Sequence, residues 1–256
     1  MNEQALSFNR ADRIGVAKDP ALHEKKDASN LALLLAADKS EEVRYQLAAN
    51  PALVKLNNAE EVALRLHKQG SYRVRMGLAD NPALAQLRNG ASIGGTLAND
   101  YKSIVRGTLA RNPALADLSN GSSLAKKLSN DSDWPARAGI AANRRLPKMG
   151  EVGSVVRNLF DAPFNGSKKF GQRVSVLKEL AANPEVVNLP NAPQVIGELQ
   201  SYPSISIEYR LMDNPAVPLA PTKDQDNSTL DQYDLGSLDL DEGLTQTRTL
   251  ASIDRG

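Results

Sequence analysis

Apolar residues return in one fixed order along this chain. The frame is set by Asn50, Asn81 and Asn112, which stand 31 residues apart. Seven positions before each lies Val43, Val74 or Val105, and three before lies Leu47, Leu78 or Leu109. Two before comes Ala48, Ala79 or Ala110, and three after comes Leu53, Leu84 or Leu115. The same frame fits Asp19, Asn143, Asn183 and Asn214, which makes seven copies, with nine extra residues between Asn143 and Asn183. Apolar offsets of four and five residues fall on one helical face. The segment ahead of each Asn is therefore predicted to be a short amphipathic helix, helix B. The proline that follows most of the Asn residues disfavours helical geometry there and ends the helix.

A second helical stretch, helix A, fills the rest of each repeat; residues 59–69 show it best. Asp27, Asn58, Asn89, Asn120 and Asn191, each eight positions after its frame residue, are read as its N-caps. A period held over this length marks a stacked array, in which neither helix buries its face except against a neighbouring copy. The expected fold is all-α, a solenoid of about seven 31-residue helix–turn–helix repeats over residues 1–220. The insertion near 160–170 contains Pro163, Gly166 and paired lysines and is read as a loop. Residues 221–256 are rich in Asp, Ser and Thr and are read as a disordered tail.

Composition narrows the function. The chain is 41% hydrophobic but only 4% aromatic, as suits helices stacked through Ala, Leu and Val. It has no cysteine, so disulfides, thiolate metal sites and iron–sulfur ligation are excluded. No apolar run approaches the roughly 18–20 residues of a membrane span. The first ten residues lack the hydrophobic core of a secretory signal. The expectation is a cytoplasmic monomer, with export by a route that reads no such core as the alternative.

Net charge is +1, but it is split: residues 221–256 carry three basic and eight acidic groups. Within 137–173 eight basic residues face only Glu151 and Asp161. Arg137, Arg144, Arg145, Lys148, Lys168, Lys169 and Arg173 of that window, with Trp134 just ahead of it, form the candidate partner-binding set. The plainer reading of the cations is a solvated basic face, and of Trp134 a ring packed at a helix start.

The motif V-R-x-x-L-A-x-N-P-x-L at residues 43–53, 74–84 and 105–115 resembles the leucine-rich repeat variant family. That resemblance implies a right-handed solenoid of alternating α and 3₁₀ helices, and no reaction. The longer period here leaves room for two α-helices per unit, as in HEAT repeats. The spacing of Asp38, Val43 and Arg44, repeated at Asp100, Val105 and Arg106, is also HEAT-like. The iron–sulfur module known in a member of the family needs cysteines, so no cofactor carries over.

Arg13, Arg44, Arg75, Arg106 and Arg137 recur six positions before the frame residue. They are read as a structural ladder beside Asn50, Asn81, Asn112, Asn183 and Asn214, paired with an acid at the preceding turn (Asp38, Asp100 or Asp131) or with carbonyls there. A basic ladder lining a groove is the alternative. Catalytic constellations are poor. His23 and His67 lie in different repeats without a nucleophile at a diagnostic spacing. The glycine-rich stretch 90–95 has neither the strand nor the Lys-Ser/Thr of a phosphate loop and is read as a close-packed helix start. The stretch from Asp224 has Thr229 and Leu235 where a calcium loop needs Gly and Glu. The expected function is a non-catalytic scaffold for a protein partner, with nucleic-acid binding, as in some HEAT-like repair proteins, as the alternative.

Overall fold

In the computed structural model of the chain, residues 9–161 and 169–218 are described. All regular structure among them is helical: thirteen α-helices and six 3₁₀ helices. The odd-numbered helices are the B segments: α1 (Arg10–Ala17), α3 (Glu41–Ala49), α5 (Tyr72–Asp80), α7 (Ser103–Arg111), α9 (Trp134–Ala142), α11 (Lys169–Ala182) and α13 (Ile205–Met212). The even-numbered helices are the A segments: α2 (Ala28–Ala36), α4 (Ala59–Gln69), α6 (Gly90–Leu97), α8 (Gly121–Ser129), α10 (Val152–Asp161) and α12 (Ala192–Ser201). A 3₁₀ helix follows each B helix except the last; Pro51–Lys55 and Pro113–Asp117 are examples. The repeat is thus α, α, 3₁₀. The repeat unit closes at Pro218, and the tail expected from residue 221 lies outside the described residues.

The apolar frame forms one continuous core. Val43, Leu47, Ala48 and Leu53 have no or almost no solvent exposure, and so do their counterparts Val74, Leu78, Ala79, Leu84, Val105, Leu109, Ala110 and Leu115. The frame Asn explains why the copies stay in register. Its side-chain amide donates to two carbonyls of the repeat before: Asn112 Nδ2 reaches the oxygens of Ala79 and Asn81, each at 2.8 Å. Its Oδ1 accepts from the Ala114 N–H, two residues on, at 2.9 Å. Asn50, Asn81, Asn143, Asn183 and Asn214 repeat this pattern. One bond of each pair reaches a carbonyl in the last turn of the preceding B helix; the other shares the frame residue's carbonyl with the backbone N–H three residues on, as Asn81 O is shared with Leu84. Asp19 begins the column with a carboxylate, which accepts from the Ala21 N–H but has nothing to donate.

Two expectations change. The Asn residues at the A-helix starts make no capping bond to the helix they precede. Asn58, Asn89 and Asn120 instead donate backward to carbonyls of Ser29, Glu60 and Ala91, each 29 residues earlier. They form a second inter-repeat column, because stacking brings the previous A helix within reach of the amide. The insertion, secondly, is not a loop from 160 to 170: Phe160 and Asp161 close α10, while Lys169 and Phe170 already belong to α11. Residues 162–168, Lys168 among them, lie outside the described residues, as does the Lys169 side chain. The Asn column crosses this point intact, with Asn183 bonded to Ala141 and Asn143. The glycine-rich stretch starts α6 at Gly90, where a Cβ would lie 2.3 Å from the Leu84 carbonyl oxygen.

Candidate functional site

The Arg ladder lies at the turn between each A and B helix. Arg106 shows its geometry in full. One guanidinium nitrogen, Nη1, donates to the Asp100 carbonyl of its own turn at 2.6 Å. Nε and Nη2 form a fork on the Asp131 carboxylate at 2.7 and 2.8 Å, and Nη2 also meets Asp133 at 2.7 Å. Arg75 holds the Gly70 carbonyl and the Asp100 carboxylate in the same way, and Arg13 holds Asp38. The carboxylate partner is therefore in the following repeat, 25 residues on, and not at the preceding turn; that turn contributes its carbonyl. Each of these Asp residues also accepts from the N–H two residues later, so it forms its own turn while it holds the Arg. The bonds to Asp131, then Asp133, raise the Arg106 pKa above its ordinary value. Arg44 and Arg137 bind the turn carbonyls of Asp38 and Asp131. Arg13, Arg75 and Arg106 thus link successive repeats, while Arg44 and Arg137 hold a carbonyl of their own turn; Arg106 also lines a shallow depression with Tyr101, Asp131 and Asp133.

The described cations of the basic window differ in burial and in partners. Arg137 has 0% exposure, so it is withdrawn from the set that could touch a partner, and burial lowers its pKa. Arg145 pairs with Asp117 at 2.7 Å, and Arg157 on α10 pairs with Glu198 at 3.3 Å. Arg144 and Lys148 are exposed around the 3₁₀ helix after α9, whereas Arg173 sits in α11 ahead of its core-facing residues. These two ends of a B helix are separated by roughly 13 Å, the length of nine helical residues.

Residues one period apart converge. The fifth position before the frame residue carries Tyr45, Met76, Gly107 and Ala138 in successive repeats, and all four line one hollow of about 350 Å³. The eighth contributes Ile104 and Pro135, and the last residue of the helix contributes Asp80 and Arg111. Trp134 stands at one rim; it begins α9, as expected, and is 40% exposed. Ile104 beside it is 46% exposed. The floor exists because α7 and α9 touch through glycine. A Cβ on Gly107 would lie 2.7 Å from the Pro135 oxygen, and one on Gly139 would lie 2.3 Å from the Gly107 oxygen. Small residues on the floor and large ones at the rim make the depression.

Its charged rims are largely balanced. Arg73 lies over the Tyr45 ring at 5.5 Å and contacts Glu41 at 3.6 Å and Glu42 at 3.1 Å. Arg111 reaches across α9 to Glu179 at 3.3 Å. Asp80 is exposed and has no ion pair or hydrogen bond among the described residues.

No family model matches the chain, and no curated protein or solved structure matches it. Its chemistry is therefore read from its own residues. No group of His, Asp or Glu among the described residues could hold a metal ion. His23 lies 3.5 Å from Glu24, and His67 sits on α4, two repeats' elements away. Burial, then nearby Arg75, pulls the His67 pKa below its ordinary value. Among the described residues no helix is long and apolar enough to cross a membrane. Sequence reasoning singled out Trp134 and not Ile104, Met76, Tyr45 or Asp80, which line the same hollow. The signal was present in the columns taken at the repeat period; the charge window along the chain pointed elsewhere.

Proposed function

We propose that the array is a non-catalytic scaffold that docks a protein partner on the face of its odd-numbered helices, in the hollow between α3 and α9. The observation that supports this most is the exposure of Ile104 and Trp134 above a glycine floor, in helices whose inward residues are fully buried. A solvent-facing apolar patch rimmed by charge is the usual mark of a protein contact. Repeat arrays commonly act through such extended faces. The resemblance to leucine-rich repeat variants fits a binding role and adds no chemistry.

Nucleic-acid binding is the second reading. Its best support is Tyr101, 74% exposed, with Lys102 lying 5.3 Å from its ring centroid. Asp131 and Asp133 line the same edge, which weakens it for phosphate. Affinity capture with nuclease treatment separates the two. A protein partner retained after nuclease and lost on Ile104→Asp supports docking in the hollow. Capture that depends on nucleic acid, with a steep salt slope, supports the second reading.

A further inference from the structure

The hollow has a chemistry that narrows its occupant, given the docking role just proposed. Its lining from Met76, Ile104, Trp134 and Pro135 is apolar, so its centre takes a bulky aliphatic or aromatic side chain. Its rim is not neutral. Arg73 is matched by Glu41 and Glu42, and Arg111 by Glu179, which leaves Asp80 as the lining charge without a partner among the described residues. Asp80 ends α5, where the helix dipole places further negative potential. A bound anion would meet this carboxylate unscreened, whereas a bound cation would complete it.

We propose that the hollow binds an extended polypeptide segment in which a bulky apolar residue is adjacent to Lys or Arg. The apolar side chain rests on the Gly107 floor between the rims of Ile104 and Trp134, and the cation faces Asp80. Helices pack roughly 8–10 Å apart, so α5, α7 and α9 offer a track of about 16–20 Å, which five or six extended residues span. The apolar contact supplies most of the affinity and the Asp80 contact supplies the selection, since an exposed ion pair contributes little while like charges exclude a wrong partner.

The test uses the full chain and labelled octapeptides of Gly and Ser carrying Leu-Leu-Arg, Leu-Leu-Glu or Ser-Ser-Arg, followed by fluorescence anisotropy, with a single-stranded oligonucleotide as a fourth probe. Expected is binding of the Leu-Leu-Arg peptide about tenfold tighter than Leu-Leu-Glu, weak binding of Ser-Ser-Arg, and none of the oligonucleotide. Asp80→Lys should invert the preference between the two Leu peptides with the melting temperature unchanged, because Asp80 is exposed. Ile104→Asp should abolish both. Equal binding of the two Leu peptides, indifferent to Asp80→Lys but lost on Ile104→Asp, overturns the charge selection and leaves docking in place. Leu peptides that do not bind, or that bind Ile104→Asp unchanged, overturn the assignment of the hollow, and partner capture then judges docking separately. Tight binding of the oligonucleotide overturns both.

Discussion

At the scale of the residue, one asparagine per repeat does the joining. Asn112 makes three hydrogen bonds, two of them to carbonyls of the previous repeat, and is 3% exposed. Asn112→Ala should lower stability by about 2–4 kcal/mol in chemical denaturation, as buried acceptors lose their donor. Pro113→Ala should cost less than about 1 kcal/mol. The fifth-repeat frame supplies the reason: Asn143 keeps every bond of the pattern although Arg144 follows it. A larger loss from the proline would contradict this ranking. Arg106→Ala should cost about 1–3 kcal/mol, and Arg106→Lys should restore less than half, because an ammonium group cannot reach a carbonyl and fork on a carboxylate together. The importance of these residues was legible from recurrence. Their partners were not, since a sequence does not say whether Asn58 caps its own helix or bonds to the helix stacked beneath it.

At the scale of the element, close approach sets what can be changed. A Cβ on Gly139 meets backbone oxygen and the Ala110 Cβ at once, so Gly139→Ala should force α7 and α9 apart and cost about 1–3 kcal/mol. Gly153 has open space around it, so Gly153→Ala should be neutral or stabilising. Equal melting temperatures for the two variants would refute the close contact. His67 on α4 adds a pH dependence. Its folded pKa lies below the ordinary 6.5, so below that pH the unfolded chain binds a proton that the folded chain resists. Stability should fall as pH drops below about 6.5, by no more than about 1.4 kcal/mol per pH unit, and His67→Gln should remove that part. Urea midpoints at pH 7.5 and 5.5 measure it. The α-helices themselves were readable because their apolar period is strong. The 3₁₀ character of the Pro-started turns came only through the family resemblance, and the early start of α11 not at all, because short elements carry too few residues to show a period.

At the scale of the whole molecule, sequence neighbours and surface neighbours are different sets. In the repeat unit a side chain shares its surface with residues 31 positions away, such as Met76 with Tyr45 and Gly107. That is why a window read along the chain included Arg137, which the fold buries, and why the columns that line the hollow were not read as one surface. With the proposed docking role the surface has two parts: the turn edge, whose Arg–Asp links join repeats, and the odd-helix face around Ile104, where the partner is proposed to dock. The most direct test measures both properties on two variants. Nuclease-treated capture and thermal melting are compared for Ile104→Asp and Arg106→Ala, with capture taken at equal folded fraction. The division predicts that Ile104→Asp loses the partner and keeps its melting temperature, while Arg106→Ala melts earlier and keeps the partner. Partner loss from Arg106→Ala with unchanged melting, beside full binding by Ile104→Asp, would contradict it.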